Sequence, residues 1–289
     1  GLPPERMALL LQGGAALGLL RRRRDGRFAL ARRGAALLGV PGLDGMIRHH
    51  RVLYRDLADP VAFLRGETDP ELARFWPYVF GAGGAADPAV AAAYSRIMTD
   101  SLVLVAEDTL RLADFSGVAH LLDVGGGTGA FLAAVGTAHP AIRLTLFDLP
   151  AVVADAEATF ACAGLSTRAT VVSGSFRDEP LPRGADAISL VRVLYDHADD
   201  TVAALLAAAF DALPPGGRII VSEPMSGGRH PDRNTDTYFA FYTAAMRTGR
   251  ARTPAEIGAM LARAGFSGIR VRPGFRPYVT SVVLARRPG

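Results

Sequence analysis

A glycine-rich loop with an acid in front of it is the part of the sequence best suited to hold a ligand. In LLDVGGGTGAF a buried strand ends at Asp123, and a glycine loop leads into a helix predicted to begin near Thr128. Glycine lets backbone amides approach a ligand closely and adopts dihedral angles that other residues avoid. The pattern G-x-G-x-x-A, through Gly125, Gly127 and Ala130, indicates a dinucleotide only weakly. The same loop also fits D-x-G-x-G-x-G.

The charge of the ligand separates these two patterns. Asp123 would repel a pyrophosphate, whereas a ligand that carries an ammonium and a sulfonium needs negative charge nearby. Asp148 ends the next predicted strand, where a carboxylate could accept both hydroxyls of a ribose. Loops of the form D-x-G-x-G-x-G hold the methionine part of S-adenosylmethionine. We therefore predict an S-adenosylmethionine site that includes Asp123, Gly125, Gly127 and Asp148.

A second stretch, SLVRVLYDHADD, contains candidates for proton transfer. Tyr195 and His197 lie in it, and Glu223 ends a later predicted strand. The hypothesis is that His197 or Tyr195 orients an acceptor hydroxyl and relays its proton, with Glu223 as the orienting group. Two other roles compete with it. Tyr195 could be a wall of the pocket, and His197 could cap the helix that begins near Asp199.

The second half of the chain alternates short apolar runs with helical patterns, which predicts a doubly wound parallel sheet. The last stretch, IRVRPGFRPYVTSVVLARR, has two strands joined by a Pro-Gly turn with no helix between them, so we expect them to pair antiparallel. Dinucleotide-binding dehydrogenase domains rarely end in this way. Residues 99–289 are therefore predicted to form a Rossmann-like α/β domain with a C-terminal antiparallel hairpin.

Residues 1–98 follow a different pattern. Asp25-Gly26 between two short strands predicts a hairpin, with an apolar helix before it and another helix after it. This order suggests a winged-helix unit within a mainly helical region. Such units bind DNA, mediate dimerisation or cover substrates, and the sequence alone leaves these roles open. An amphipathic helix over residues 87–112 is predicted to connect the two regions.

Composition excludes several classes of function. Hydrophobic residues make up 49% of the chain, so disorder is not expected, and no apolar run reaches the roughly 20 residues of a spanning helix. All 32 basic residues are arginine, a coding bias that weakens any argument for nucleic-acid binding from the net charge of +4. The single Cys162 excludes an intrachain disulfide, and His49 and His50 have no acids at ligand spacing. We predict no metal and a cytoplasmic protein.

Several stretches together resemble a known family. LLDVGGGTGAF, FDLP, RVLYDHADD, LPPGGRIIVSEP and ARTPAEIGAMLARAGF are similar to the class II S-adenosylmethionine-dependent O-methyltransferases, which include the caffeate and acetylserotonin enzymes. FWPYVFGAGG, RVLYDH and FYTAAMRTGRART are most similar to the carotenoid enzymes of the demethylspheroidene and hydroxyneurosporene type, which methylate a tertiary 1-hydroxyl. The resemblance covers essentially the whole chain. It implies a homodimer, and the first dimerisation helices of the class are missing, which agrees with Gly1 being an internal start.

The resemblance also implies residues that bind the methyl donor. They are Asp123, Gly125, Gly127, Asp148, Leu149, Ser175, Phe176 and Arg192. One departure concerns the adenine, where the class has Gly-Asp followed by an apolar residue and this chain has Gly174, Ser175 and Phe176. Ser175 could still accept a hydrogen bond there, and Phe176 could lie on the adenine face.

The larger departure concerns the base. Tyr195 stands where the class has its catalytic histidine, and His197 stands where it has tryptophan. Glu223 retains one supporting acid, but the second acid is replaced by Ala251. The histidine-plus-two-acids arrangement is therefore not reproduced.

Three hypotheses for the function remain. The favoured one is methyl transfer to the tertiary hydroxyl of an acyclic hydroxycarotenoid, because such an alcohol loses its proton only as the methyl bond forms and does not require a base tuned to phenols. A second keeps the reaction but makes the acceptor a phenol or polyketide. The third is a ligand-sensing winged-helix regulator that binds DNA. The favoured hypothesis implies a hydrophobic small-molecule acceptor and a homodimer, and no nucleic-acid partner. It also allows peripheral contact with a membrane, because the acceptor would be soluble in lipid.

Overall fold

The computed structural model describes most of the chain, namely residues 1–40, 42–75, 88–276 and 279–289. The described residues form two compact units, residues 1–50 and 51–289. The division predicted between residues 98 and 99 lies inside helix α6, Pro88–Leu112, of the second unit. Of the stretch FWPYVFGAGG, residues 76–84 lie outside the described part of the chain.

The first unit contains the predicted hairpin between two helices. Its elements are α1 (Pro4–Ala16), β1 (Leu20–Arg22), β2 (Phe28–Leu30) and α2 (Arg32–Gly39), and α3 (Leu43–Asp56) continues into the second unit. The two strands pair antiparallel, with Leu20 opposite Leu30. Gly26 has a φ of 80°, and its N–H donates to the Arg23 carbonyl at 3.1 Å. The turn predicted from Asp25-Gly26 is therefore confirmed.

The second unit begins with helices and continues as an alternation of strands and helices. Before the sheet come α4 (Pro60–Leu64), α5 (Glu71–Phe75) and α6. The alternation is β3 (His120–Val124), α7 (Ala130–Ala138), β4 (Arg143–Asp148), α8 (Ala156–Cys162), β5 (Ala169–Ser173), β6 (Ala187–Val191), α9 (Asp199–Ala212), β7 (Arg218–Glu223), α10 (Ala240–Met246), α11 (Pro254–Arg263), β8 (Ser267–Arg272) and β9 (Ser281–Arg286). A 3₁₀ turn, Leu194–Asp196, precedes α9, and a π-helical turn, Thr235–Phe239, precedes α10. In the described part of the chain no helix has the length and apolar character needed to cross a membrane.

The seven strands of the second unit form one sheet in the order β5-β4-β3-β6-β7-β9-β8. All pairs are parallel except those of β9, which runs antiparallel to both β7 and β8. The predicted fold class is confirmed, including the antiparallel pair at the end. Helices cover both faces of such a sheet, so its central strands are apolar throughout, and every residue of β6 is buried. The carboxyl ends of β3, β4, β5 and β6 meet at one edge, which is where open α/β sheets bind ligands.

Candidate active site

A cleft lies at the carboxyl ends of these four strands. It encloses about 990 Å³ of space, counting the open solvent at its mouth, which is enough for a small-molecule ligand. Its walls bring together nine of the predicted site residues, Asp123, Gly125, Gly127, Asp148, Leu149, Ser175, Phe176, Arg192 and His197. Tyr195 and Glu223 are not among the described residues that line it. Within the described residues, no group of three or more His, Cys, Asp or Glu side chains is arranged to hold a metal ion.

The glycine loop between β3 and α7 forms the floor of the cleft. Gly125 and Gly127 have φ angles of 73° and 62°, in the left-handed region that favours glycine. A Cβ added to Gly126 would lie 2.3 Å from Asp123 Oδ2, so a side chain cannot be accommodated there. Gly129, with a φ of 79°, is the N-cap of α7, which explains why this helix begins two residues later than predicted.

Asp123 is fully buried at the end of β3 and has one free carboxylate oxygen. Ser189 Oγ donates to Oδ1 at 2.6 Å, whereas Oδ2 has no hydrogen-bond partner among the described residues. Burial, with a smaller effect of the Asp148 charge, raises the pKa of Asp123 to about 7. A buried carboxylate oxygen without a partner is unfavourable unless a cation or a donor group meets it. The geometry therefore suits a cationic ligand.

Asp148, at the end of β4, is held in place by backbone amides. The Gly127 N–H donates to Oδ2 at 2.8 Å, and the Leu149 N–H donates to Oδ1 at 2.7 Å. Burial raises the pKa of Asp148 to about 6, and these two hydrogen bonds act in the opposite direction. Each carboxylate oxygen has a second lone pair, so the pair of oxygens can still accept from two ligand hydroxyls.

Three residues that follow β5, Ser175, Phe176 and Arg177, line the cleft, and Phe176 and Arg177 contact His197. The rings of Phe176 and His197 are 5.2 Å apart and nearly perpendicular. Arg177 Nη2 lies 3.2 Å from His197 Nδ1, a contact that sequence reasoning did not anticipate. His197 does not cap α9 through its side chain, because the N-cap is Ala198 and no side-chain cap bond is formed.

Glu223 and Tyr195 lie behind the cleft wall. Glu223 is 1% exposed, and its Oε1 accepts from the N–H groups of Val193 and Leu194 at 2.8 and 2.7 Å. Burial raises the pKa of Glu223 to about 7. The Tyr195 ring packs edge-on against Phe239 at 5.8 Å. Glu223 therefore holds the backbone of the turn that carries Tyr195.

Asp196 is the member of this turn that reaches the cleft. Burial raises the pKa of its carboxyl well above the usual value, and the nearby charge of Glu223 raises it further. The charge of Arg192 and a hydrogen bond from the Tyr195 side chain act in the opposite direction. Asp196 thus connects the predicted base position, Tyr195, with the space where a ligand would lie.

Two arginines hold the backbone of the site. Arg192 is one of the predicted donor-binding residues, whereas Arg252 gives no signal in a sequence whose basic residues are all arginine. Arg252 is 2% exposed and donates to the carbonyl oxygens of Leu194 and His197 at 2.7 and 2.8 Å. Arg192 has a φ of 58°, which is rare for a residue with a side chain. Its Nη1 donates to Ser101 Oγ on α6 at 2.8 Å. Both arginines set the path of the segment between β6 and α9.

The comparisons with known proteins agree with this architecture. The O-methyltransferase domain family matches residues 54–267. The demethylspheroidene O-methyltransferase of Cereibacter sphaeroides is 68% identical over 288 residues, which are 100% of this chain and 76% of that protein. The protein of the same name from Rhodobacter capsulatus is 54% identical over 287 residues, which are 99% of this chain and 71% of that one.

Among solved structures, human N-acetylserotonin methyltransferase in complex with S-adenosylmethionine is similar over 99% of this chain and 84% of that chain, with a TM-score of 0.77 and 25% identity. The match to the domain family covers more than half of the chain, and the two bacterial relatives match nearly all of it. The chain therefore belongs to the family of S-adenosylmethionine-dependent O-methyltransferases.

Proposed function

We propose that the chain transfers the methyl group of S-adenosylmethionine to the tertiary hydroxyl of an acyclic hydroxycarotenoid, as a step of carotenoid biosynthesis. The observation that carries the proposal is the 68% identity, over the whole chain, with a protein named demethylspheroidene O-methyltransferase. Tyr195 in place of a histidine is consistent with a tertiary alcohol, which stays protonated until the methyl bond forms. A phenol would gain more from a base that removes its proton beforehand.

The residues of the cleft fit S-adenosylmethionine as the donor. The free oxygen of Asp123 supports a place for the ammonium of its methionine part, and the space beside Gly127, where an added Cβ would meet no atom within 4 Å, leaves room for a ligand against the backbone. The two oxygens of Asp148 suit the ribose hydroxyls. When bound, S-adenosylmethionine supplies a methyl group on a sulfonium, a strong leaving group, so alignment is the main requirement. We assign the donor site to Asp123, Gly125, Gly127, Asp148, Leu149, Ser175, Phe176 and Arg192.

We assign the acceptor's hydroxyl to the turn that carries Tyr195 and Asp196. Asp196 lines the cleft, and Tyr195 donates a hydrogen bond to its carboxylate. The charge of Arg192 and the hydrogen bond from Tyr195 favour the ionised form of this carboxyl, and in that form it can accept a proton. Asp196 would accept the hydroxyl proton as the oxygen bonds to the methyl carbon, and Tyr195 would orient both groups. Glu223 keeps the turn in place through the Val193 and Leu194 amides.

The experiment that tests the acceptor is a methyl-transfer assay with labelled S-adenosylmethionine. A 1-hydroxylated acyclic carotenoid in detergent is offered beside a catechol and a flavonoid. We expect label in the carotenoid alone. Label in a phenol alone would overturn the acceptor assignment and favour the second hypothesis from the sequence. Failure to bind the donor in a calorimeter would overturn the function as a whole.

Two substitutions test the assignment of the turn. Asp196→Asn removes the proton acceptor, and we expect kcat to fall by about 100-fold or more, in the range of general-base catalysis. Tyr195→Phe should lower kcat less, by roughly 10-fold, because it loses orientation only. Tyr54→Phe is the matched control, since Tyr54 is 74% exposed, and it should leave kcat unchanged. An Asp196→Asn variant with normal kcat would show that the proton leaves by another route.

A further inference from the structure

His197 occupies a position that constrains its chemistry. Its side chain is buried and lines the cleft, and its ring meets Phe176 edge-on at 5.2 Å. Of its two ring nitrogens, only Nδ1 has a hydrogen-bond partner among the described residues, and this partner is Arg177 Nη2 at 3.2 Å. Arg177 also donates to Thr201 Oγ1 at 3.1 Å, so the guanidinium is held between the ring and α9.

This contact fixes the proton on the ring. A guanidinium has only donors, so His197 Nδ1 must accept the hydrogen bond, and the proton of the neutral ring then lies on Nε2. Burial, with smaller effects of the Arg177 and Arg252 charges, lowers the pKa of His197 to about 4, so the ring is neutral near pH 7. In this tautomer neither nitrogen can take a proton from a hydroxyl, because one lone pair faces Arg177 and the other nitrogen is already protonated.

The sheet order indicates which part of the donor lies next to His197. Asp123 is the last residue but one of β3 and Asp148 ends the neighbouring strand β4. The next strand outward is β5. A molecule whose ammonium meets Asp123 and whose ribose meets Asp148 therefore places its purine near the end of β5. Ser175 and Phe176 follow that strand, and His197 contacts Phe176 from the opposite wall.

We propose that His197 is a donor-binding residue that Arg177 locks with its proton on Nε2, so that it donates a hydrogen bond to a ring nitrogen of the adenine and takes no part in proton removal from the acceptor. This inference rests on the proposed function, since it concerns the same cleft. It separates the two members of the Tyr-x-His pair: Tyr195 belongs to the acceptor side and His197 to the donor side. Arg177 acts through His197 and is a positioning residue.

The first test compares binding and turnover in variants of His197. His197→Phe keeps a flat ring but loses the donor, so we expect the affinity for S-adenosylhomocysteine to fall by roughly 10-fold, as for the loss of one hydrogen bond in a desolvated site. The KM for S-adenosylmethionine should rise in parallel, with kcat at saturation nearly unchanged. His197→Gln keeps an N–H donor and should bind nearly as tightly as the original protein.

The matched control is His139→Phe, because His139 also packs against a phenylalanine, Phe115, with ring centroids 5.3 Å apart, but does not line the cleft. Its affinity for S-adenosylhomocysteine should be unchanged. A His197→Phe variant with normal donor affinity and a large loss of kcat would overturn the proposal and return His197 to the acceptor side.

The second test measures the tautomer of His197 in the original protein, and a His197 variant is needed only to assign the signals. The chain has six histidines, and long-range proton–nitrogen NMR spectra report the tautomer of each. The His197 signals are those that disappear in His197→Gln. We expect the proton on Nε2 in the original protein and a mixture of tautomers in Arg177→Met. A proton on Nδ1 in the original protein would contradict the inference. If the tautomer and the affinities follow expectation but no carotenoid is methylated, the acceptor assignment fails while this inference stands.

Discussion

Ser189 Oγ donates to Asp123 Oδ1 at 2.6 Å, and the other oxygen of this buried carboxylate has no partner among the described residues. Asp123→Asn keeps the shape and the bond to Ser189 but removes the charge. We expect the affinity for S-adenosylhomocysteine to fall by about 10- to 100-fold, the usual effect of losing a charge-assisted hydrogen bond. Isothermal titration calorimetry measures it, and Asp178→Asn, at an exposed position outside the cleft, is the control. An unchanged affinity would remove Asp123 from the donor site.

The same carboxylate predicts how donor affinity depends on pH. The pKa is raised to about 7 for Asp123 and to about 6 for Asp148, so both bind protons more readily than exposed acids do. An ammonium favours ionised Asp123, and binding therefore releases a proton near neutral pH. We expect affinity to rise between about pH 5.5 and 8 and then to level off. Calorimetry in two buffers with different heats of ionisation detects the released proton, and Asp123→Asn should flatten the profile. An affinity that falls as pH rises would contradict this assignment.

The glycine loop allows a matched pair of substitutions. Gly126→Ala places its Cβ 2.3 Å from both Asp123 Oδ2 and Leu146 Cδ1, whereas Gly127→Ala meets no atom within 4 Å and is strained only by its φ of 62°. We expect Gly126→Ala to abolish measurable donor binding, because the methyl group displaces the carboxylate. Gly127→Ala should cost only about 1 kcal/mol of stability. Thermal melts measure the stability of both variants, and titrations with S-adenosylhomocysteine measure their donor binding. Equal binding by the two proteins would show that the loop adapts.

Much of the donor side could be predicted from the sequence because it depends on local patterns. A buried strand, an acid and closely spaced glycines placed Asp123 and Gly125, and the alternation of strands and helices placed Asp148 at the same edge of the sheet. The C-terminal hairpin followed from two strands with no helix between them. These features need only periodicity, turn chemistry and the rule that parallel strands bind ligands at their carboxyl ends.

The segment between β6 and α9, which carries Tyr195, Asp196 and His197, could not be predicted in this way, because its geometry depends on contacts between distant parts of the chain. Arg252 fixes the Leu194 and His197 carbonyls across more than fifty residues of sequence, and Arg177, in the loop after β5, contacts His197 Nδ1. The order Tyr-x-His suggested one proton relay. The folded chain separates the pair, since the Tyr195 ring contacts Phe239 whereas the His197 ring contacts Phe176.

Glu223 provides a test of how the turn is held. Its Oε1 accepts two backbone N–H bonds, so Glu223→Ala leaves two buried donors without a partner and should lower the free energy of unfolding by about 2–4 kcal/mol. Glu223→Gln keeps Oε1 and should retain most of this stability. Urea denaturation near pH 6 measures both.

The stability of the original protein and that of Glu223→Gln should also depend differently on pH. Because burial raises the pKa of Glu223 in the folded protein to about 7, above its value in the unfolded chain, its contribution to stability is present at low pH and is lost as pH rises through the folded value. The stability of Glu223→Gln should therefore fall less between about pH 5 and 8 than that of the original protein. A steeper fall in Glu223→Gln would mean that Glu223 is ionised in the fold.

Arg252, which lies just before α11, donates hydrogen bonds to the segment between β6 and α9, and the neighbouring Arg250 offers a control. Arg252 donates to the carbonyl oxygens of Leu194 and His197, and it also pairs with Asp199 at 2.6 Å. Arg252→Met keeps most of the side-chain volume but leaves these acceptors unpaired, so we expect a loss of about 2–4 kcal/mol in unfolding free energy. Arg250→Met breaks only exposed ion pairs with Asp199 and Glu256 and should cost less than about 1 kcal/mol.

Activity should separate these two arginine variants further. Without Arg252 the Leu194 and His197 carbonyls lose their common partner. The turn that carries Tyr195 and Asp196 is then no longer fixed relative to His197. A misplacement of about 1 Å lowers rates by roughly 100-fold when a reaction depends on alignment. We therefore expect kcat/KM to fall by at least 10-fold in Arg252→Met, measured at a temperature where the variant is folded by circular dichroism. Arg250→Met should keep its activity. Equal activity in both variants would show that the segment keeps its path without Arg252, and that its geometry is set by Glu223 and Arg192 alone.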